Sequence, residues 1–243
     1  MAVVLVTGSG RGIGFGVAHA FAREGHTVVL NGRLDTERLA NAVETLQNCY
    51  GGNVMGICAD LSDYFAAQEM FGKIEAAYGP VEILVNNAGA AHFGLFSDMS
   101  PADITKVLAD NLNTTIHASH LAIPHMVRAK AGCIINITSI WGVVGASCEA
   151  VYSAAKAGVI GLTKALAKEV GPSGVRVNAI ACGAFETRMN DRLTKEEKAG
   201  FVEGIPLGRF GNPQEVGDLA VFLASEKAGY LTGQVITLDG GVI

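Results

Sequence analysis

A tyrosine and a lysine four residues apart are the strongest chemical signal in this sequence. Tyr152 and Lys156 occur among helix-forming residues, so they would stack on one face of a helix. An ammonium group beside a phenol stabilises the phenolate and lowers the phenol pKa from its usual value of about 10. Ser139 follows the apolar run 133–137, which is typical of a buried strand. The three side chains are suited to protonating a carbonyl oxygen, although Tyr152 and Lys156 alone could also be an ordinary polar pair on a helix.

Composition limits the classes of protein that this chain can be. Its 243 residues are 49% hydrophobic and 17% charged, which fits one large α/β domain with a sizeable core. The formal net charge of −5 argues against nucleic acid as the main partner, and no basic run indicates a membrane surface. The five cysteines include no Cys-x-x-Cys pair, which favours a reduced, cytoplasmic protein without a metal site.

Strand and helix patterns alternate along the sequence, which predicts a parallel sheet with helices on both faces in one domain, residues 1–243. Strands are predicted at 3–7, 27–31, 53–59, 82–86, 133–138, 175–181 and 234–238. Helices are predicted at 12–24, 35–49, 63–78, 101–130, 152–170 and 213–224. Pro124 is expected to bend the long helical region in which it occurs.

A glycine-rich run connects the first strand to the first helix. It reads Thr-Gly-Ser-Gly-Arg-Gly-Ile-Gly from Thr7 to Gly14. Glycines let the backbone approach a pyrophosphate, and a helix N-terminus favours its negative charge. The run is not a Walker loop, because no Gly-Lys-Ser/Thr follows. A dinucleotide site is the favoured interpretation, and a tight turn is the alternative.

The residues after the second and third strands indicate which dinucleotide would bind. An NAD site would have an acidic residue after the second strand, but the chain has Asn31 and Arg33 there, with Arg11 in the glycine run. Two arginines suit a 2′-phosphate, so NADP(H) is favoured over the alternative of two solvated surface arginines. Asp60 is placed to accept a hydrogen bond from adenine, or else to cap a turn.

Together these segments resemble the short-chain dehydrogenase/reductase family over the whole chain. The matching pieces are Thr7-Gly8-x-x-x-Gly12-x-Gly14, Asn86-Asn87-Ala88-Gly89, Asn111, Ser139 and Tyr152-x-x-x-Lys156. Within the family the chain is most similar to bacterial 3-oxoacyl-[acyl-carrier-protein] reductases, through residues 206–213, 222–225, 231–234 and 239–241. It also resembles elongation factor P 5-aminopentanone reductases around Trp141 and residues 145–149.

The resemblance implies a seven-stranded Rossmann-type sheet, a homotetramer, and hydride transfer from NADP(H) to a ketone. It implies that Tyr152 donates the proton, Ser139 polarises the carbonyl, Lys156 binds the nicotinamide ribose and lowers the tyrosine pKa, and Asn111 holds a water. The implied cofactor-binding residues are Gly8, Ser9, Arg11, Gly12, Ile13, Gly14, Asn31, Arg33, Asp60, Leu61, Asn87, Ala88, Gly89, Tyr152, Lys156, Gly183, Phe185 and Thr187.

The substrate side departs from the pattern of the carrier-protein reductases. Glu149 occurs where those relatives commonly have glutamine, and a carboxylate at the pocket mouth suits a cationic substrate, unless it only starts a helix. Trp141 and Cys148 are the other expected pocket residues. Cys182 replaces a usual proline before the expected lid, residues 185–210. Arg128 and Lys130 retain one part of a basic patch for an acidic carrier protein, but Pro172-Ser173 does not retain the other.

Four functions follow from this sequence, in order of preference. The first is NADPH-dependent reduction of a 3-oxoacyl group on acyl-carrier protein. The second is reduction of the aminopentanone modification on elongation factor P, and the third is reduction or oxidation of a free small ketone or polyol. The last is a non-catalytic NADP-binding regulator, against which the intact catalytic residues argue.

Overall fold

The computed structural model describes residues 1–187 and 194–243. Seven parallel strands form one sheet in the order β3-β2-β1-β4-β5-β6-β7. The strands are β1 Val3–Val6, β2 Thr27–Gly32, β3 Val54–Cys58, β4 Ile83–Asn86, β5 Gly132–Ser139, β6 Val175–Cys182 and β7 Val235–Leu238. The seven-stranded, doubly wound parallel sheet predicted from the sequence is therefore confirmed.

Helices cover both faces of this sheet. They are α1 Gly12–Arg23, α2 Thr36–Tyr50, α3 Tyr64–Tyr78, α4 Pro101–Leu108, α5 Thr114–Ala129, α6 Trp141–Val144, α7 Ala150–Val170, α8 Lys195–Glu203 and α9 Pro213–Ala224. Within the part of the chain that the structure describes, none of these is both long and apolar enough to cross a lipid bilayer.

Alternate residues of the central strands feed two separate apolar cores. Val4 and Val6 of β1 pack with α1, α2 and α9 on one face. Val3 and Leu5 point the other way and pack with α3 and α5. Because side chains alternate along a strand, a strand covered on both faces is expected to be mostly apolar. This is why the strands read as hydrophobic runs, with the buried, hydrogen-bonded Asn136 of β5 and Asn178 of β6 as exceptions.

The predicted helical region 101–130 is interrupted by a turn that the sequence analysis did not predict. A π-helical turn, Ala109–Asn113, separates α4 from α5. Pro124, where a bend was expected, lies inside α5. Asn111 stands in this turn and is fully buried. Widened turns of this kind are frequent at functional sites, and here the turn directs an amide side chain towards the loop after β4.

Candidate active site

Ser139, Tyr152 and Lys156 meet at the carboxyl end of β5. Ser139 is the last residue of that strand, while Tyr152 and Lys156 lie in the first two turns of α7. Thr138 Oγ1 donates a hydrogen bond of 3.0 Å to the carbonyl oxygen of Lys156, which fixes the strand end against the helix. On the other side, a Cβ at Gly142 of α6 would lie 2.8 Å from the Lys156 carbonyl carbon, so α6 packs directly on α7. The structure thus brings the three predicted catalytic side chains together.

The surroundings of Tyr152 keep its hydroxyl protonated. Burial raises the pKa of Tyr152 above its usual range, the charge of Glu149 raises it further, and a hydrogen bond with Ser139 lowers it. Desolvation is the largest of these influences and Lys156 is not among them, so the predicted lowering of this pKa by the lysine stays a prediction. A neutral phenol is the state that a proton donor requires.

Lys156 is buried beside the tyrosine ring. Its Nζ lies 5.7 Å from the centre of the Tyr152 ring and donates a hydrogen bond of 3.2 Å to the carbonyl oxygen of Ile137. Desolvation lowers the pKa of Lys156 to about 8, against an opposing influence of Cys182. Burial in turn raises the pKa of the Cys182 thiol to about 12. The residue that replaces the usual proline therefore contributes a neutral thiol next to the catalytic lysine.

Asn111 uses its side chain to hold the loop that follows β4. Its Oδ1 accepts from the Ala90 amide at 3.1 Å, and its Nδ2 donates to the carbonyl oxygens of Ala90 and Val107 at 2.8 and 2.9 Å. Both Nδ2 hydrogens are thus used, whereas Oδ1 has a second lone pair that could accept from the expected water. A Cβ at Gly89 would lie 2.6 Å from Asn111 Oδ1 and 3.4 Å from Lys156 Nζ, so this glycine admits both side chains.

The glycine loop is fastened to the end of β4. Thr7 Oγ1 accepts from the amides of Asn87 and Ala88, each at 2.9 Å. Asn87 Nδ2 donates to the carbonyl oxygens of Thr7 and Gly8, each at 3.0 Å. Gly8 has a φ of +61°, and a Cβ there would lie 2.8 Å from the Ala88 Cα. Thr7 thus has a positioning role that the predicted set of binding residues did not include.

Two predicted cofactor residues turn out to be internal supports. Ser9 is fully buried, and its Oγ donates to the Val6 carbonyl at 2.7 Å and accepts from the Asn31 amide at 3.0 Å. Asn31 is also buried; its Oδ1 accepts from the Gly8 amide, and its Nδ2 donates to the carbonyls of Ile57 and Ala59. The side chains of Ser9 and Asn31 therefore join the glycine loop to β2 and β3 instead of facing a ligand.

The ends of β2 and β3 carry the residues predicted to surround the adenosine. Arg11 and Arg33 are exposed, but Arg33 is not free, because its Nη1 lies 2.7 Å from Asp110 Oδ1. Asp60 Oδ1 accepts hydrogen bonds from the amide and the hydroxyl of Ser62. Asp60 therefore caps a turn, which the sequence analysis gave as the alternative to an adenine contact. Leu61 is buried, and its carbonyl oxygen lies 2.9 Å from His117 Nδ1.

A third arginine lies beside the glycine loop, although the sequence did not single it out. The Arg38 side chain would approach a Cβ on Gly10 to 3.8 Å, and its Nη2 lies 3.0 Å from Asp35 Oδ2. Asp35 caps α2 by accepting from the Arg38 amide. The positive character of this end therefore comes from α2 as well as from the loop. Arg38 can be recognised as a neighbour of the glycine loop only in the folded structure, where α2 packs close to that loop.

The segment after β6 closes the site from the other side. A Cβ at Gly183 would lie 2.6 Å from the Cβ of Asp239. Phe185 is buried and forms an isolated bridge with Gly211. Thr187 Cγ2 lies 3.5 Å from where a Cβ on Gly12 would stand, so this segment meets the first turn of α1. Of the predicted lid, residues 188–193 lie outside the described part of the chain, and α8 occupies 195–203.

The residues predicted to contact the substrate lie in the segment between Ser139 and Tyr152. Trp141 begins α6, and its amide donates to Ser139 Oγ at 3.2 Å. Cys148 has a φ of +62°, which is uncommon for a residue with a side chain, and its carbonyl accepts from the Gly94 amide at 2.9 Å. Glu149 stands at the N-cap of α7 without a side-chain capping bond. Since its charge raises the Tyr152 pKa, the carboxylate acts on the reacting end of the cleft.

These features fit a dinucleotide with its nicotinamide end at Tyr152. The first turn of α1 contains no acidic residue, so its amide groups would meet a pyrophosphate without opposing charge. Ile13, in that turn, packs partly against the core and leaves the glycine backbone to face the ligand. Among the residues that the structure describes, no cluster of histidine, cysteine and carboxylate side chains could hold a metal ion.

Comparisons with known proteins show which family the chain belongs to. A family model described as enoyl-(acyl carrier protein) reductase matches residues 8–243. The 3-oxoacyl-[acyl-carrier-protein] reductase FabG of Aquifex aeolicus is 42% identical over 99% of this chain and 96% of its own length. The uncharacterized oxidoreductase YmfI of Bacillus subtilis is 38% identical over 98% of this chain and 97% of its own length.

A solved structure shows the same architecture. The chain of a provisionally assigned gluconate dehydrogenase from Agrobacterium tumefaciens superimposes with a TM-score of 0.95 at 33% identity, covering 99% of this chain and 95% of that one. The sequence similarity extends over nearly the whole chain, and the solved structure has the same architecture. The chain therefore belongs to the short-chain dehydrogenase/reductase family of oxidoreductases.

Proposed function

We propose that this enzyme reduces a ketone to a secondary alcohol with NADPH, and that its substrate is a 3-oxoacyl group on acyl-carrier protein. The observation that carries the proposal is the hydrogen bond between Tyr152 and Ser139 at the end of β5, beside the buried Lys156. Similarity to several FabG reductases supports the choice of substrate. As in the family, we propose a cytoplasmic homotetramer.

The chain's own groups would act on the carbonyl oxygen of the ketone. The cofactor held by the glycine loop and Lys156 would, as NADPH, supply the hydride that the carbonyl carbon requires. Ser139 would donate a hydrogen bond that polarises the carbonyl, and Tyr152 would transfer its proton to the oxygen as the C=O bond becomes CH–OH. Lys156 would hold the ribose and, as its ammonium form, stabilise the tyrosinate left behind.

A substrate comparison tests this proposal. NADPH oxidation is followed at equal concentrations of a 3-oxoacyl group on acyl-carrier protein and of a neutral short 3-ketoester. We expect a higher kcat/KM with the carrier-bound substrate, because Arg128 and Lys130 near the end of α5 offer cations to an acidic carrier. A higher efficiency with the free ketoester would contradict the carrier-protein assignment while leaving the reductase activity intact.

One observation favours a second substrate, the aminopentanone modification on elongation factor P. Glu149 exerts its charge at Tyr152, where an acyl chain would bring apolar carbons and an aminoketone would bring an ammonium group. A carboxylate in a partly desolvated cleft attracts the second and disfavours the first. Reduction of modified elongation factor P, measured beside the carrier-bound substrate, distinguishes the two. A free small ketone or polyol is the third substrate class.

A further inference from the structure

Asp110 binds two cations at the junction of α4 and α5. Its Oδ1 lies 2.7 Å from Arg33 Nη1, and its Oδ2 lies 2.7 Å from Lys106 Nζ. The Asp110 side chain is only 10% exposed, whereas those of Arg33 and Lys106 are 42% and 60% exposed. The carboxylate is therefore the buried member of the group, and the two cations reach it from solvent.

The position of Asp110 places this group at the adenosine end of the site. His117 lies seven residues further along the chain, in α5 beyond the π-helical turn. His117 Nδ1 contacts the Leu61 carbonyl at 2.9 Å, directly after the end of β3. Arg33 reaches the same region from the end of β2. The ion pair of Arg33 and Asp110 thus connects the strand ends that would bind adenosine with the π-helical turn that contains Asn111.

We propose that Asp110 is a specificity-determining residue, which limits the selection for a 2′-phosphate by competing with that phosphate for Arg33. This inference rests on the proposed NADP(H) preference. A guanidinium offers five N–H donors, but each contact with Asp110 reduces the positive charge that a phosphate would meet. Arg33, Lys106 and Asp110 together carry a net charge of +1. Arg33 without the other two would carry the same charge, but no carboxylate would then compete with the phosphate for its N–H donors.

Lys106 modulates this competition. It binds the second oxygen of Asp110 and so shares the carboxylate with Arg33. Without Lys106, the carboxylate would interact with Arg33 alone and hold it more strongly. Substitutions at the two positions should therefore act in opposite directions: loss of the Asp110 charge releases Arg33, and loss of the Lys106 charge ties it down.

The contribution of the 2′-phosphate is measured with two fragments that lack nicotinamide. Calorimetric titration gives the Kd of 5′-AMP and of 2′,5′-ADP, and their ratio is the gain from the 2′-phosphate. In Asp110→Asn we expect this ratio to rise roughly tenfold, the effect of one freed charge-assisted contact. In Lys106→Gln we expect it to fall. Glu69→Gln, which removes an exposed carboxylate from an ion pair on α3, should leave it unchanged.

The outcomes separate this inference from the cofactor assignment. A wild-type ratio near one would contradict the NADP(H) assignment, yet a rise in Asp110→Asn would still support competition. A ratio that is unchanged or lower in Asp110→Asn would overturn the inference, because Asp110 would then orient Arg33 for the phosphate or play no part. Lys106→Gln is an independent test. If its ratio of the two Kd values does not fall below that of the wild type, Asp110 does not compete with the phosphate for Arg33.

Discussion

The ammonium of Lys156 lies 5.7 Å from the centre of the Tyr152 ring and donates to the carbonyl oxygen of Ile137 at 3.2 Å. The Lys156 side chain therefore packs against the Tyr152 ring, and its ammonium group reaches the end of β5. Because Lys156 is buried, its pKa is lowered from the ordinary value for a lysine to about 8. This relationship gives the first prediction.

Lys156 should make stability depend on pH in a defined window. Its pKa is about 8 in the folded protein, whereas the ordinary value for a lysine side chain is 10.5. Between these values the unfolded chain holds a proton that the folded chain has lost, so the lysine's contribution to stability rises with pH by about 1.4 kcal/mol per unit. Below pH 8 the buried ammonium carries its full destabilising effect.

Chemical denaturation of Lys156→Met and of the wild type at several pH values tests this. The variant should be the more stable at pH 8, and its advantage should shrink as the pH approaches 10.5. Lys164→Met, at an exposed position of the same helix, reports the effect of the methionine itself. A difference between Lys156→Met and wild type that stays constant over the window contradicts the buried-lysine account.

The Glu149→Gln variant should show whether Glu149 contacts the substrate or only begins α7. If the carboxylate attracts a cation, the KM for an amine-bearing ketone should increase by about tenfold, a typical effect for one partly buried charge pair. The KM for a neutral 3-ketoester should stay almost unchanged. Equal changes for both substrates would mean that Glu149 only starts α7, and the carrier-protein substrate would gain support.

Arg33→Asp should invert the cofactor preference from NADPH to NADH. The substitution places a carboxylate where the 2′-phosphate is expected, and it leaves that carboxylate next to Asp110. Arg23→Asp, at the far end of α1, is the control for a change of net charge. The decisive quantity is the ratio of kcat/KM for the two cofactors; an Arg33→Asp enzyme that still prefers NADPH would place the phosphate elsewhere.

Gly89→Ala should damage the site more than the fold. The new Cβ would lie 2.6 Å from Asn111 Oδ1, so the loop after β4 or the amide must shift. Overpacking of this kind costs about 1–3 kcal/mol of stability, and we expect kcat to fall with it. Gly161→Ala is the matched control, because a Cβ there meets nothing within 4 Å in α7. It should instead add about 0.5–1 kcal/mol.

The sequence predicted the fold and the proximity of Ser139, Tyr152 and Lys156 because both depend on local spacing. Hydrophobic runs between turn residues locate the strands, and parallel strands all end at one edge of the sheet. Ser139 is the last residue of β5, while Tyr152 and Lys156 share one face of the helix that follows. Once the topology is known, these three residues must meet.

The parts that the sequence did not predict depend on packing between distant segments. Arg33 and Asp110 are 77 residues apart, and only the folded sheet brings them into contact. Ser9 and Asn31 belong to a binding motif, but the direction of their side chains is decided by the strands around them. The direction of the Tyr152 pKa depends on burial, which i, i+4 spacing does not reveal.

The most direct test of the central claim compares wild type with Tyr152→Phe. The rate of NADPH oxidation with a 3-ketoester is measured beside the Kd of NADPH for each protein. Loss of only the proton donor should lower kcat by about 10²–10⁴-fold while leaving the Kd within a factor of about two. A Tyr152→Phe enzyme that keeps most of the wild-type kcat would show that another group protonates the ketone, and the proposed mechanism would be wrong.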